Sequence, residues 1–399
     1  MTALIVDALR TPRGRGNEKG RLAGVKPAHL LSQTLAALAD RHKLDTSAVS
    51  DVIVGCATQT KDQGTGIGKV GVLVSGWSDS VSAVTINRYC ASGLSAVHFA
   101  ALQAEYNDAL AVGGGVESMS RVPMLSDKGP LFFDNEIMRE ARAVHMGLAA
   151  DAVATLHGFT RQACDEYAAE SQRRAAAARE SGWFRKSLVP VKGQDGAALL
   201  EADETIRPAT TVESLSAIAP AFADMGKAGP DAFMQKHFNI AGDIQHVHHA
   251  GNSPAMADGA SAVLVGSEAA VKRAGLKPRA RILATSDVSI DPVLQLTGAA
   301  DATQRALARA GLKPSDIALF EVNESFAALM LHYRKALGIG ADRLNVNGGA
   351  IALGHAMGAT GGSLLGTLLD ELERRNERYG VVAICGAAGV AVATVIERL

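Results

Sequence analysis

Across 399 residues this chain has almost no net charge, only four cysteines and no long apolar run. Forty basic against 41 acidic residues leave −1, which excludes a general nucleic-acid footprint or an acidic tail. Any anionic ligand therefore has to be met by local basic groups. No apolar stretch approaches the roughly 20 residues of a membrane span. The N-terminus, Met1-Thr2-Ala3-Leu4-Ile5-Val6, enters a strand pattern at once and lacks the basic and apolar segments of a secretion signal. The C-terminal Glu397-Arg398-Leu399 is not the Ser-Lys-Leu peroxisomal address. A soluble cytoplasmic protein is expected. The cysteines, Cys56, Cys90, Cys164 and Cys385, show no framework spacing and read as reduced thiols.

What is present is ample material for a core. Hydrophobic residues make up 47%, and the length predicts two or three structural units. Strand-like runs such as 51–55, 109–113, 317–320 and 381–384 alternate with alanine-rich helical stretches, the pattern of α/β layers. The middle, 118–247, carries more charge and helical patterning, including 161–179 with Thr160 as N-cap and Ser181-Gly182 as stop. It reads as an insertion between 1–117 and a return segment, 248–272, with a second half at 273–399. A weak repeat matches Ser50-Asp51-Val52-Ile53 to Ser315-Asp316-Ile317-Ala318, an offset of 316 − 51 = 265. The same offset carries Cys90 onto His355. A duplicated α/β unit would bring two such strand-end loops together, where ligands of open sheets bind.

Four segments could carry chemistry. In Asn87-Arg88-Tyr89-Cys90-Ala91-Ser92-Gly93, a strand-like run gives way to helical spacing, so Cys90 is expected near a helix N-terminus. Unpaired amides and the helix dipole there favour the reactive thiolate. A buried structural cysteine would suit the same run. Asn323 follows an apolar strand and reads as a helix cap or as an amide presented at the strand mouth. His355 is bracketed by Gly354 and Gly358, which leaves its ring free to face an open site and take a thiol proton. Cys385 ends a buried strand before Gly386-Ala387-Ala388-Gly389, a turn whose amides could form an oxyanion hole.

Other signals point elsewhere. Gly66-Ile67-Gly68-Lys69-Val70-Gly71 has dinucleotide-loop spacing but no preceding strand. His246, His248 and His249 lack a companion set of metal ligands in sequence. Cys164 has acidic neighbours, and Cys56 has no basic partner nearby, so neither suits a nucleophile.

Taken in order, the Cys90, Asn323, His355 and Cys385 segments resemble the motifs of the thiolase family of acyl-CoA acetyltransferases, over nearly the whole chain. The subgroup most resembled is the thiolase subunit of bacterial fatty-acid oxidation complexes. The resemblance implies duplicated βαβαβαββ halves in a layered αβαβα core, with an inserted, mostly helical loop domain that binds CoA. It implies thiolytic cleavage of 3-ketoacyl-CoA to acetyl-CoA and a shortened acyl-CoA, or the reverse Claisen condensation. Cys90 would carry the acyl group, His355 would activate it, and Cys385 would move the proton of the second substrate. Asn323 would hold a water that stabilises the enolate oxygen, and the amides of Cys90 and Ala387 would form the other oxyanion hole. Arg207, Ser214, His145, Met146 and Ser253 would contact CoA. No metal or redox cofactor is implied, CoA being a substrate. A homodimer or homotetramer, and a hydratase/dehydrogenase partner subunit, are implied as well.

Three departures stand out. Ala356 follows His355 where the family usually has Pro, and Pro254 stands where many members have a CoA-contacting serine. Ala387 and Ala388 replace two glycines after Cys385, and their methyls disfavour φ > 0 in that turn. Two other readings therefore stay open: a biosynthetic acetoacetyl-CoA thiolase, and an impaired thiolase-like subunit that only binds acyl-CoA or a partner.

Overall fold

The structure is a computed structural model that describes residues 3–399. Its strands are short apolar runs rich in Val, Ile and Ala, and its inner helices are rich in Ala and Gly. In chain order the principal elements are β1 (Leu4–Arg10), α1 (Pro27–His42), β2 (Val49–Gly55), β3 (Ser82–Ile86), α2 (Ser92–Asn107), β4 (Leu110–Ser118), α3 (Met146–His157) and α4 (Arg161–Glu180). They continue with β5 (Ala257–Gly266), β6 (Ala280–Ser289), α5 (Gly298–Ala310), β7 (Leu319–Val322), α6 (Met357–Arg375), β8 (Tyr379–Cys385) and β9 (Val390–Arg398).

One mixed sheet runs β7-β8-β9-β6-β1-β5-β4-β2-β3. Its halves, β1-β5-β4-β2-β3 and β6-β9-β8-β7, repeat one order about a narrow seam, where only Leu4↔Arg281 and Ile5↔Ala280 pair. Leu344, bridged to Phe320, stands where the second half would have a counterpart of β3. In each half the parallel pairs (β2 with β3 and β4, β7 with β8) adjoin antiparallel ones.

Helix α1 packs outside the first half, α5 outside the second, and α2 and α6 lie between them. That is the expected αβαβα layering. Helix α6 is buried on every side from Met357 to Leu372, and β4 is buried along its whole length, as inner layers require. The repeat itself is less regular than its sequence match. The 3₁₀ turn Thr46–Ala48 precedes β2 as Pro314–Asp316 precedes β7, an offset of 314 − 46 = 268. The helix starts keep 357 − 92 = 265. The matched tetrapeptides thus sit three residues out of register, while Cys90 and His355 each stand two residues before their helix.

Glycine lets those two helix starts touch. A Cβ on Gly93 would come within 2.4 Å of the Gly358 carbonyl oxygen, and one on Gly361 within 2.1 Å of the Leu94 amide. The loops bearing Cys90 and His355 therefore emerge side by side. Between β4 and β5 the chain contributes no strand to the large sheet and forms α3, α4 and shorter helices. Thr160 caps α4 through the Ala163 amide, as its position predicts. No helix among the described residues is long and apolar enough to cross a membrane.

Candidate active site

Between β3 and α2 the chain makes a tight elbow. The Asn87 side chain accepts the Tyr89 amide at 2.8 Å, and Ser92 Oγ accepts the Arg88 amide at 2.8 Å. Tyr89 itself adopts φ +51°, a strained conformation for an aromatic residue. Cys90 follows, half-buried in a cavity of about 270 Å³ that Ala387, Met146 and Met357 also line. Helix α2 has no side-chain cap at Ala91. The expected thiolate is nevertheless not the resting state. Burial, the nearby Cys385 thiol and the Glu117 carboxylate push the Cys90 thiol up to about 12. Desolvation of the anion outweighs whatever the helix start supplies.

Cys385 ends β8 and is buried. Its Sγ lies 3.1 Å from Ser325 Oγ, which accepts Asn323 Nδ2 at 3.0 Å. That contact holds the thiol down against burial, which alone would lift it further than about 11. The turn after Cys385 abuts the Cys90 elbow: a Cβ on Gly386 would lie 3.1 Å from the Arg88 carbonyl oxygen and 3.2 Å from Tyr89 Cβ. Within that turn Ala388, not Ala387, takes the left-handed conformation, with φ 58°. Its amide donates to Gln295 Oε1 at 3.3 Å. The methyl there costs about 1–2 kcal/mol, part of which glycine would return as chain entropy. Ala388→Gly is expected to raise unfolding stability by about 0.5–1 kcal/mol, read as a shifted denaturant midpoint at unchanged slope.

His355 is fixed by its amide, which donates to the Ala255 carbonyl at 2.8 Å, and by Nδ1, 2.8 Å from Thr360 Oγ1. The Thr360 hydroxyl donates its own proton to the Ala356 carbonyl at 2.9 Å, so it accepts from His355. Nδ1 therefore carries the proton and Nε2 the lone pair. Burial, and then the Arg13 cation, hold the imidazole down to about 3, so it is neutral at ordinary pH. Among the described residues Nε2 has no hydrogen-bond partner, and neither have the buried Asn323 Oδ1 and Ser253 Oγ. Such orphans are rare in a well-bonded interior and suit groups that receive a ligand. The arrangement offers one thiol in a cavity, a second thiol on a hydroxyl–amide relay, and a neutral imidazole acceptor.

The remaining sequence candidates divide. Met146 lines the Cys90 cavity, whereas His145 caps α3 by accepting the Gly147 amide and packs against Phe222. Ser214 spends its hydroxyl in a capping box with Thr211. Arg207 is exposed, with the Arg15 charge close enough to lower it after burial has done so. His246 and His248 bind Asp151, and His249 binds Asp165. Gly66 starts a helix with φ +69° and no strand before it. Cys56 and Cys164 are buried, with burial and acidic neighbours pushing both thiols up.

Two site residues escaped the sequence reading. Ser325 carried no signature beyond its place in the Asn323 segment. Glu117 is buried at the end of β4 and accepts amides of Ala57 (2.9 Å), Thr58 (3.2 Å) and Gly358 (2.9 Å). It ties the end of β2 to the start of α6, and a lone Glu after an apolar strand gives no hint of that.

Residues 3–232 match the family model of the thiolase N-terminal domain, and residues 276–398 that of the thiolase C-terminal domain. A protein named 3-ketoacyl-CoA thiolase from Serratia proteamaculans is 40% identical over 405 aligned positions, covering 99% of both chains. Its namesakes from Klebsiella pneumoniae and Salmonella typhi are each 39% identical with the same coverage. With both domain models matched in order and the similarity running end to end, this chain belongs to the thiolase family.

Proposed function

We propose that the protein is an acyl-CoA C-acyltransferase that cleaves 3-ketoacyl-CoA with CoA and can run the reverse Claisen condensation. The observation that carries this reading is the contact between the Cys90 and Cys385 turns, with Ser325 and Asn323 behind the second thiol. In thiolysis, Cys90 Sγ attacks the 3-keto carbon as its proton passes to His355 Nε2. The C2–C3 bond breaks, its electron pair leaves on the acetyl-CoA enolate, and Cys385 returns a proton to that carbon. The resulting Cys385 thiolate takes the proton of incoming CoA, whose sulfur attacks the acyl-Cys90 thioester and releases the shortened acyl-CoA. His355 Nε2 returns its proton to Cys90.

Because Cys90 rests as a thiol and His355 as a neutral base, proton transfer accompanies attack and no standing ion pair is needed. Amides of Cys90 and Ala387 serve the tetrahedral oxyanion, and His355 with Asn323 serves the enolate. The helical middle, 118–247, is the CoA-binding part, with Arg207 toward the anionic nucleotide and Met146 and Ser253 toward the pantetheine. His145 and Ser214 support that surface through the helix starts they cap. No cofactor beyond CoA as substrate takes part.

A homo-oligomer is supported by β3, an edge strand of Ser82–Ile86 without a charge to block pairing, whose Val84 is exposed beside the helix that carries exposed Leu73. The enzyme works in the cytoplasm, alone or with a hydratase/dehydrogenase subunit. The left-handed turn kept at Ala388 weakens the case for an inert subunit. The test is to mix purified protein with 3-ketoacyl-CoA and CoA. Equal amounts of acetyl-CoA and shortened acyl-CoA, formed only with CoA, are expected; no product overturns the reading.

A further inference from the structure

Between β6 and α5 the loop 290–297 runs past the Cys385 turn and the entry to α3, and it holds the turn by two bonds. The Ile290 amide donates to the Gly389 carbonyl at 3.0 Å, and a Cβ on Gly389 would lie 2.5 Å from the Ile290 carbonyl oxygen. The Gln295 side chain makes the second bond, its Oε1 accepting the Ala388 amide at 3.3 Å. Its other end leaves the turn, with Nε2 donating to the Val144 carbonyl at 2.8 Å. An amide N–H can only donate and a carbonyl can only accept, so a neutral carboxamide satisfies both in one orientation alone. Gln295 and Val144 are both buried, which makes each of these bonds costly to lose. The two ends join two walls of one cavity. Ala387 stands next to Ala388 and lines the Cys90 cavity, and Met146, two residues after Val144, lines it from the insertion. The turn also needs holding, because the Ala388 methyl opposes the left-handed conformation that glycine would take freely.

We infer that Gln295 is a positioning residue for turnover: its carboxamide fastens the Cys385 turn to the entry of α3, so that Ala387 and Met146 face Cys90 in one fixed arrangement. This rests on the thiolysis reading and adds to it a residue outside the lining of the Cys90 cavity. Both ends of the carboxamide are needed, since the Ala388 end alone leaves the turn free to move against α3. Methionine at 295 fills much the same space without either hydrogen bond, so it separates packing from bonding. A protonated glutamic acid reproduces both bonds, its C=O accepting and its O–H donating, whereas a carboxylate can only accept.

The experiment measures kcat and KM for thiolysis across pH in wild type, Gln295→Met and Gln295→Glu, with denaturation midpoints at each pH as the folding control. Gln295→Met is expected to lower kcat by about 10²-fold and to change KM much less. Gln295→Glu is expected to regain most of that loss at low pH. It should lose it again as pH rises through a carboxyl pKa lifted by burial, a falling limb that wild type lacks. Wild-type kcat in Gln295→Met, or a Gln295→Glu profile of wild-type shape at whatever height, overturns the inference. Hydrogen exchange at the Ala388 amide reads the same contact without turnover. Exchange in Gln295→Met is expected to quicken there while the β8 amides keep their protection, and unchanged exchange overturns the contact. A protein that cleaves nothing yet shows that quickened exchange would sink the thiolysis reading and keep the fastening of the turn.

Discussion

Replacing Cys90 with serine is expected to lower CoA-dependent cleavage of 3-ketoacyl-CoA by about 10⁴-fold or more, with the fold intact. The two side chains differ little in size, and the elbow is held by Asn87, Ser92 and the backbone, so stability should hardly move. The chemistry differs far more. Serine attack needs a strong base, and the usual support for one is a carboxylate on the far nitrogen of the histidine. Here His355 Nδ1 meets the hydroxyl of Thr360, and burial with the Arg13 cation opposes protonation at Nε2. A thiol can yield its proton to so weak a base during attack; a serine hydroxyl cannot. Steady-state rates on both proteins, with midpoints as the folding control, give the ratio. Residual cleavage within about tenfold of wild type would remove Cys90 from the central role.

Cys385→Ala should divide the reaction instead of ending it. Turnover is expected to fall about 10³-fold, within the range a positioned proton donor contributes. Transfer of an acyl group from acyl-CoA onto Cys90 should suffer much less, because a CoA thiolate leaves without a strong acid behind it. The expected signature is a rapid acyl-enzyme phase followed by almost no turnover, seen by stopping the reaction early and late. Ser325 binds the Cys385 sulfur and Asn323 binds Ser325, so the loss belongs to a relay and not to a packing defect. Equal loss of acylation and turnover would contradict the division of labour between the two thiols.

The fold was legible in the sequence, and small residues mark the four segments proposed to carry the chemistry. Only glycines let α2 and α6 meet at Gly93, Gly358 and Gly361, and those same glycines flag the Cys90 and His355 loops. The charge state of Cys90 was not legible. A helix start argued for a thiolate, but burial and two neighbours distant in sequence, Glu117 and Cys385, decide it. Ser325 and Glu117 gave no signal in the sequence. Each matters through contacts distant along the chain, Ser325 to Cys385 and Glu117 to Ala57, both across 60 residues. The repeat pointed to the right pair of loops although its strand match was three residues out of register, since the helix starts alone preserve the offset. His145 and Ser214, expected at CoA, carry helix caps, a role that histidine and serine in loops fill without any ligand.

The central claim is that Cys90 sulfur carries the acyl group. Incubating wild type, Cys90→Ser and Cys385→Ala with a saturated acyl-CoA and measuring the intact mass of each tests it most directly. The account predicts one acyl adduct per chain on wild type and Cys385→Ala, mapped to the peptide holding Cys90, and none on Cys90→Ser. An adduct that persists in Cys90→Ser, or none on wild type under conditions where cleavage proceeds, would contradict it.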